Sequence, residues 1–196
     1  MGTMVKPGAS DFIKIDPCPQ GTHQAVCYGI WDIVLQKITW QGNEKIMPKI
    51  VVAWEINKLI DCPGNDFDGL NYVLSKTYTN STHEKSNLIQ DLAALGITLT
   101  PIEQAEGFDI EGKLMGLSCL IGVVHKKGTN GTVYANIGSL VPLPDGFKEM
   151  PASLPNDPPK WVLKKREEQV VPGQQTEEPP DVGSPPPQDE FTQGVL

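Results

Sequence analysis

One arginine, Arg166, serves a chain of 196 residues. The side chain best suited to forked hydrogen bonds with phosphate is therefore missing from the first 165 positions. Long hydrophobic runs are missing too: no stretch approaches the roughly 18 to 20 apolar residues that span a bilayer. The opening MGTMVK has no basic region leading into a hydrophobic stretch, and Lys6 stands where a myristoylation signal after Gly2 needs Ser or Thr. No membrane association and a cytoplasmic location are expected. The four cysteines, Cys18, Cys27, Cys62 and Cys119, form no CxxC pair and have no histidine at finger-like spacing. They read as free buried thiols, with neither metal nor cofactor implied.

Catalytic signatures are equally scarce. There is no GxxxxGKS phosphate loop and no nucleophile elbow. HEKSN begins like a metalloprotease helix but has Asn87 where the second histidine must stand. His23, His83 and His125 fall in separate elements. No catalytic residue is assigned, and a non-enzymatic protein is expected.

Charge is present but uneven. Residues 1–150 hold 12 Lys against 16 acids, residues 151–166 hold three Lys and Arg166 against Asp157, and residues 167–196 hold seven acids and no base. The body is close to neutral and the formal charge of -8 belongs mostly to the end of the chain. From Pro151 onward lie 10 of the 18 prolines, with few large apolar residues. Such a stretch buries too little surface to offset its ordering entropy, so a disordered tail is expected over 149–196. The tail closes with Asp189, Glu190 and Phe191 ahead of TQGVL, which reads either as a solvated end or as a peptide that docks in a partner's groove.

Five strands and one strong helix are legible before the tail. THQAVCYGIWDIVL, from Thr22 to Leu35, is β-branched and aromatic, with Gly29 as a bend or bulge. In KIVVAWEI, Ile50, Val52, Trp54 and Ile56 share one face and Lys49, Val51, Ala53 and Glu55 the other. Trp54, alternating with Ile and Val, reads as core. NYVLSKTYT puts Tyr72, Leu74, Lys76 and Tyr78 on one face. Ser81 and Glu84 then have the spacing of a capping box, with Leu88, Leu92 and Leu95 as an apolar stripe that Gly96 ends. Thr100 and Glu103 form a second capping box, with Pro101 at the first helical position. LSCLIGVVH and TVYANIGSLV flank KKGTNG as a hairpin. This order, with a helix between the third and fourth of five strands, is that of an oligonucleotide-binding (OB) barrel. The expected architecture is an arm over 1–19, an OB-fold-like barrel over 20–148 and the acidic tail.

Several blocks, GTHQAVCYGIWDI, KIVVAWEI, SKTYTNSTHEKSNLIQDL, GFDIEGKLMGLSCLIGVVH and YANIGSLVPLPDG, together resemble a family of small bacteriophage- and prophage-encoded proteins. That family is regarded as single-stranded-DNA-binding-like accessories of replication or recombination. The resemblance covers about Gly21 to Gly146 and implies a host-cytoplasmic protein of phage origin. Better-known bacterial single-strand binders end in an acidic tip closed by a Pro-Phe pair. Here Phe191 stands five residues short of the end, a departure from that pattern.

Single-strand binding needs cations that track phosphates and rings on which bases stack, each stacked base contributing about 1 to 3 kcal/mol. The strand pattern offers Tyr72, Lys76 and Tyr78 on one face, Lys49 beside them on the second strand, and His125, Lys126, Lys127 and Tyr134 at the last hairpin. Trp40, in the loop after the first strand, is the remaining stacking candidate. Because Leu74 shares the face of Tyr72 and Tyr78, the same face also reads as core with buried phenols. The expected partner is single-stranded DNA, with replication or recombination proteins at the tail. The competing reading is a protein-interaction module that uses the same barrel and carries an exposed apolar patch.

Overall fold

The computed structural model describes residues 15–40 and 43–168, and for residues 34, 36–40 and 43–45 the backbone alone. Asp189, Glu190 and Phe191 lie outside the described residues. Five antiparallel strands follow the predicted order: β1 (Gly21–Trp40), β2 (Asn43–Leu59), β3 (Asn71–Thr79), β4 (Ser118–Lys127) and β5 (Val133–Pro142). They form one sheet in the order β3-β2-β1-β4-β5. The edge strands β3 and β5 come together without pairing, so the ladders do not close. No helix among the described residues is long and apolar enough to cross a membrane.

β1 runs five residues past its expected end, and its ladder with β2 continues to Trp40 opposite Asn43. Trp40 is thus the last residue of a strand instead of a loop residue; its side chain lies outside those described. Two register shifts, between Cys27 and Gly29 and between Asp32 and Val34, interrupt this ladder. Extra residues at such points bend a strand and sharpen its twist. Gly29 also lets the Trp31 indole lie across the backbone, since a Cβ there would collide with the ring.

Two apolar layers result. The inner one gathers Ile50, Val52, Trp54 and Ile56 of β2 with Leu74 and Tyr78 of β3, Ile121 and Val123 of β4, and Leu88, Leu92 and Leu95. These leucines belong to α1 (Asn87–Ala94) and its C-cap. Its N-cap is Ser86, whose hydroxyl accepts from the Ile89 amide at 3.3 Å, and the expected Ser81–Glu84 box does not form. Ser81 instead accepts from the amide of His83, and Ser86 donates its hydroxyl to the Ser81 carbonyl. Short polar side chains in this stretch satisfy the backbone locally and delay the helix by one turn. At the other end Gly96 has φ +78°, and the Ile97 and Gly96 amides donate to Leu92 and Ala93, the Schellman pattern.

The box at Thr100 and Glu103 does form and opens α2 (Pro101–Glu106). Glu103 also pairs with Lys113 at 2.7 Å, tying α2 to a third short helix, α3 (Ile110–Leu114).

The second layer corrects the domain boundary. Tyr28, Trp31 and Ile33 of β1 and Val51 and Ala53 of β2 form an outer cluster whose lid is the segment after β5. That segment crosses the sheet as a strap. Gln24 Nε2 donates to the Lys148 carbonyl, and Ser118 Oγ both donates to and accepts from the Met150 backbone. Further on, Trp31 Nε1 donates to Asn156 O at 3.3 Å. The strap ends in α4 (Lys160–Glu167), where Val162 is fully buried. Residues 149–168 therefore pack against the sheet, contrary to the disorder expected of them. A few anchors suffice for a proline-rich segment whose φ angles are already restricted in the unfolded chain. Ahead of β1, Cys18 is buried in the inner layer.

Candidate nucleic-acid interface

The tyrosine-lysine face of β3 points inward. In register, Tyr72, Leu74, Lys76 and Tyr78 lie opposite Ile56, Trp54, Val52 and Ile50, the inner-layer residues of β2. Tyr78 is 3% exposed, and its hydroxyl donates to Asp91 Oδ2 at 2.6 Å. Burial, and then that hydrogen bond, push its phenol far above the ordinary range. Lys76 pairs with the same oxygen at 2.5 Å and sits 5.4 Å from the centre of the Tyr78 ring. This trio fastens α1 to β3. Tyr72 is half-buried against the inner layer, and burial raises its phenol as well. Tyr78 is buried in the core, and Lys76 is half-buried and engaged by Asp91. Lys49 is half-buried at the end of the β2–β3 ladder and donates to Thr79 Oγ1 at 2.9 Å.

The outer face of the same strands is closed by the strap. Its central polar contact is Glu55, which is completely buried. The carboxylate accepts from Asn71 Nδ2 (2.7 Å), Ser153 Oγ (2.5 Å), Ser153 N (2.8 Å) and Leu154 N (3.3 Å). Burial alone would raise its pKa, but the bonds from Ser153, Asn71 and Leu154 outweigh that and hold it below the ordinary glutamate range. Beside it Tyr28 and Trp31 stack edge to face at 5.7 Å, under Val162. Burial, reinforced by the Glu55 charge, raises the Tyr28 phenol.

Among the described residues, the predicted candidates that form an exposed group lie at the β4–β5 hairpin. Lys126 stands directly opposite Tyr134, and Lys127 opposite Val133. Both lysines are exposed and Tyr134 is half-buried. The Tyr134 ring lies against Gly128 in the turn, where a Cβ would meet it at 2.8 Å, and its hydroxyl accepts from Asn130 Nδ2 at 3.2 Å. A ring fixed at two points with a cation across the ladder can stack a base beside a phosphate contact. His125 serves the fold instead, since its Nε2 donates to the Cys18 carbonyl at 2.8 Å and holds the N-terminal segment to β4.

Sequence reasoning missed the cations of α4. Lys160 and Lys164 are exposed there, and Arg166 Nε donates to the Asp32 carbonyl at 2.6 Å, where β1 leaves the body of the sheet. The signal was present in KWVLKKR, a Trp-Val pair inside a basic run, but proline-rich surroundings masked it. A cavity of about 190 Å³ beneath α3 has Asp32 and Glu111 in its wall, which disfavours an anion. Among the described residues no cluster of His, Cys, Asp or Glu has the arrangement to hold a metal ion. No protein-family model matches the chain, and no curated protein matches it either.

Proposed function

We propose that the protein binds single-stranded DNA without catalysis, through an open sheet that is an OB-type barrel in topology, as an accessory of phage replication or recombination. The observation that carries this reading is the Lys126–Tyr134 cross-strand pair with Lys127 beside it, on the hairpin between the last two strands. In this fold that loop borders the oligonucleotide. The ladder pattern supports the barrel: β1 pairs with both β2 and β4 along its bent length, and β3 meets β5. The phage assignment rests on the resemblance of the sequence blocks.

The protein-interaction reading has one observation in its favour. Val124 and Val133, on the same hairpin, are 40% and 39% exposed. Fluorescence anisotropy of labelled oligo-dT, with duplex DNA as competitor, separates the two. A single-strand phosphate contact contributes about 0.7 to the log-log salt slope, or about fivefold in affinity at 0.1 M salt. Lys126→Gln with Lys127→Gln should therefore weaken binding about 25-fold and flatten the slope by about 1.4. No binding by the full chain at high micromolar concentration refutes the DNA reading and leaves the protein-interaction reading.

A further inference from the structure

We infer that α4 is a second phosphate-binding element, placed at the root of the β1–β2 hairpin and engaging the backbone of the same strand as the β4–β5 hairpin. This role rests on the DNA-binding reading above and adds to it a site on the other end of β1.

Helix α4 is a presented surface. Val162 is sealed into the outer cluster and Trp161 packs beside it, which turns Lys160 and Lys164 to solvent. Lys164 is 75% exposed, and its one ion pair, to Glu168 at 3.7 Å, is long and open to water. Such pairs contribute little, so a phosphate can take the lysine without a large penalty. Arg166 is positioned differently: its Nε bond to the Asp32 carbonyl fixes the planar guanidinium against β1. Over 160–166 there are four cations and no carboxylate, and the nearby acids are Asp157, Glu167, Glu168 and Asp32. No other run of seven residues in the chain carries as much positive charge.

The location matters as much as the charge. Asp32 pairs with Ile50, and beyond it the two strands continue as a hairpin that carries Lys37, Lys45 and Trp40. At the other end of β1, Gly21 pairs with Val123, so Lys126 and Lys127 extend past that end. Gly21 to Asp32 is eleven residue steps of strand, roughly 35 Å or less along a bent contour. Two cationic sites at that separation suit an extended polymer of phosphates better than a compact ligand. The strap covers the aromatic outer face between them, yet the same strap supplies the cations. It therefore moves the contact surface outward onto α4.

The test compares the full chain with Lys160→Gln/Lys164→Gln and with Lys126→Gln/Lys127→Gln, by anisotropy of oligo-dT of 4 and 30 nucleotides across a salt series. Lys160 and Lys164 are exposed, so folding should be untouched, and circular dichroism checks this. The α4 variant is expected to bind the 30-mer about 25-fold more weakly at 0.1 M salt, with the slope flatter by about 1.4. The 4-mer, too short to reach both sites, should lose less. An α4 variant that binds both lengths like the full chain, while the hairpin variant is weakened, overturns this inference and leaves the DNA reading standing. Absence of binding by the unaltered chain overturns both.

Discussion

Glu55→Gln should loosen the strap while leaving the sheet intact. The carboxylate accepts four hydrogen bonds, three of them from Ser153 and Leu154. A glutamine has one acceptor oxygen there and turns an NH2 group toward the remaining donors. Two charge-assisted bonds are lost, each contributing about 1.5 to 3 kcal/mol, and relief from burying a charge offsets part of this. The net cost is about 2 to 4 kcal/mol, a large share of the 5 to 15 kcal/mol that holds a typical domain. Urea denaturation at pH 7 should show a lower midpoint. Trypsin should cut faster at Lys160, which lies seven residues beyond Ser153. The pH dependence carries its own signature. Folding holds this carboxyl below its ordinary range, so its stabilisation is complete above about pH 4.3 and is lost as pH falls through the folded value. The parent protein should lose stability over that acid window, and Glu55→Gln should lose less. An unchanged midpoint and an unchanged cleavage rate at pH 7 would refute the latch.

Two further outcomes follow from burial. Tyr78→Phe should cost about 1 to 2 kcal/mol in urea denaturation through the lost bond to Asp91, and Tyr72→Ala/Tyr78→Ala several times more, with oligo-dT affinity unchanged in Tyr78→Phe. A drop in affinity without a drop in stability would return these rings to the interface. For the thiols, Cys18, Cys27 and Cys119 are buried, and burial pushes them up to about 11, 12 and 12, whereas Cys62 is partly exposed. Ellman's reagent at pH 8 should therefore label Cys62 first and the other three only on unfolding; four fast thiols would contradict the packing.

Strand alternation made the sheet readable, because a half-buried strand must alternate and β2 does so over Ile50 to Ile56. The same alternation could not say which face was core. Tyr72, Lys76 and Tyr78 satisfy a groove pattern, but Leu74 among them and Ile50, Val52 and Trp54 opposite decide the matter only once the register is known. Lys76 misled for a physical reason: its long stem lets the ammonium leave the inner face and reach Asp91. The strap was illegible for another reason. Its attachment relies on backbone groups, the Ser153 and Leu154 amides and the Met150 and Asn156 carbonyls, which every sequence possesses. The side-chain trace of it is small: Val162, Trp161 and Leu154 in the outer cluster, the Ser153 hydroxyl and Arg166. The β4–β5 hairpin was legible because KKGTNG between alternating stretches specifies both a turn and its exposed cations.

The strap also sets a clock for folding. Trp31 meets Asn156 across 125 positions and Arg166 meets Asp32 across 134. During synthesis, Tyr28, Val51 and Ala53 would stay uncovered, and Glu55 would have no Ser153 to accept from, until residues near 162 leave the ribosome. Closing so long a loop slows the final step. A nascent or shortened chain that ends near residue 148 would display an apolar sheet face to its neighbours, and its failure would be self-association.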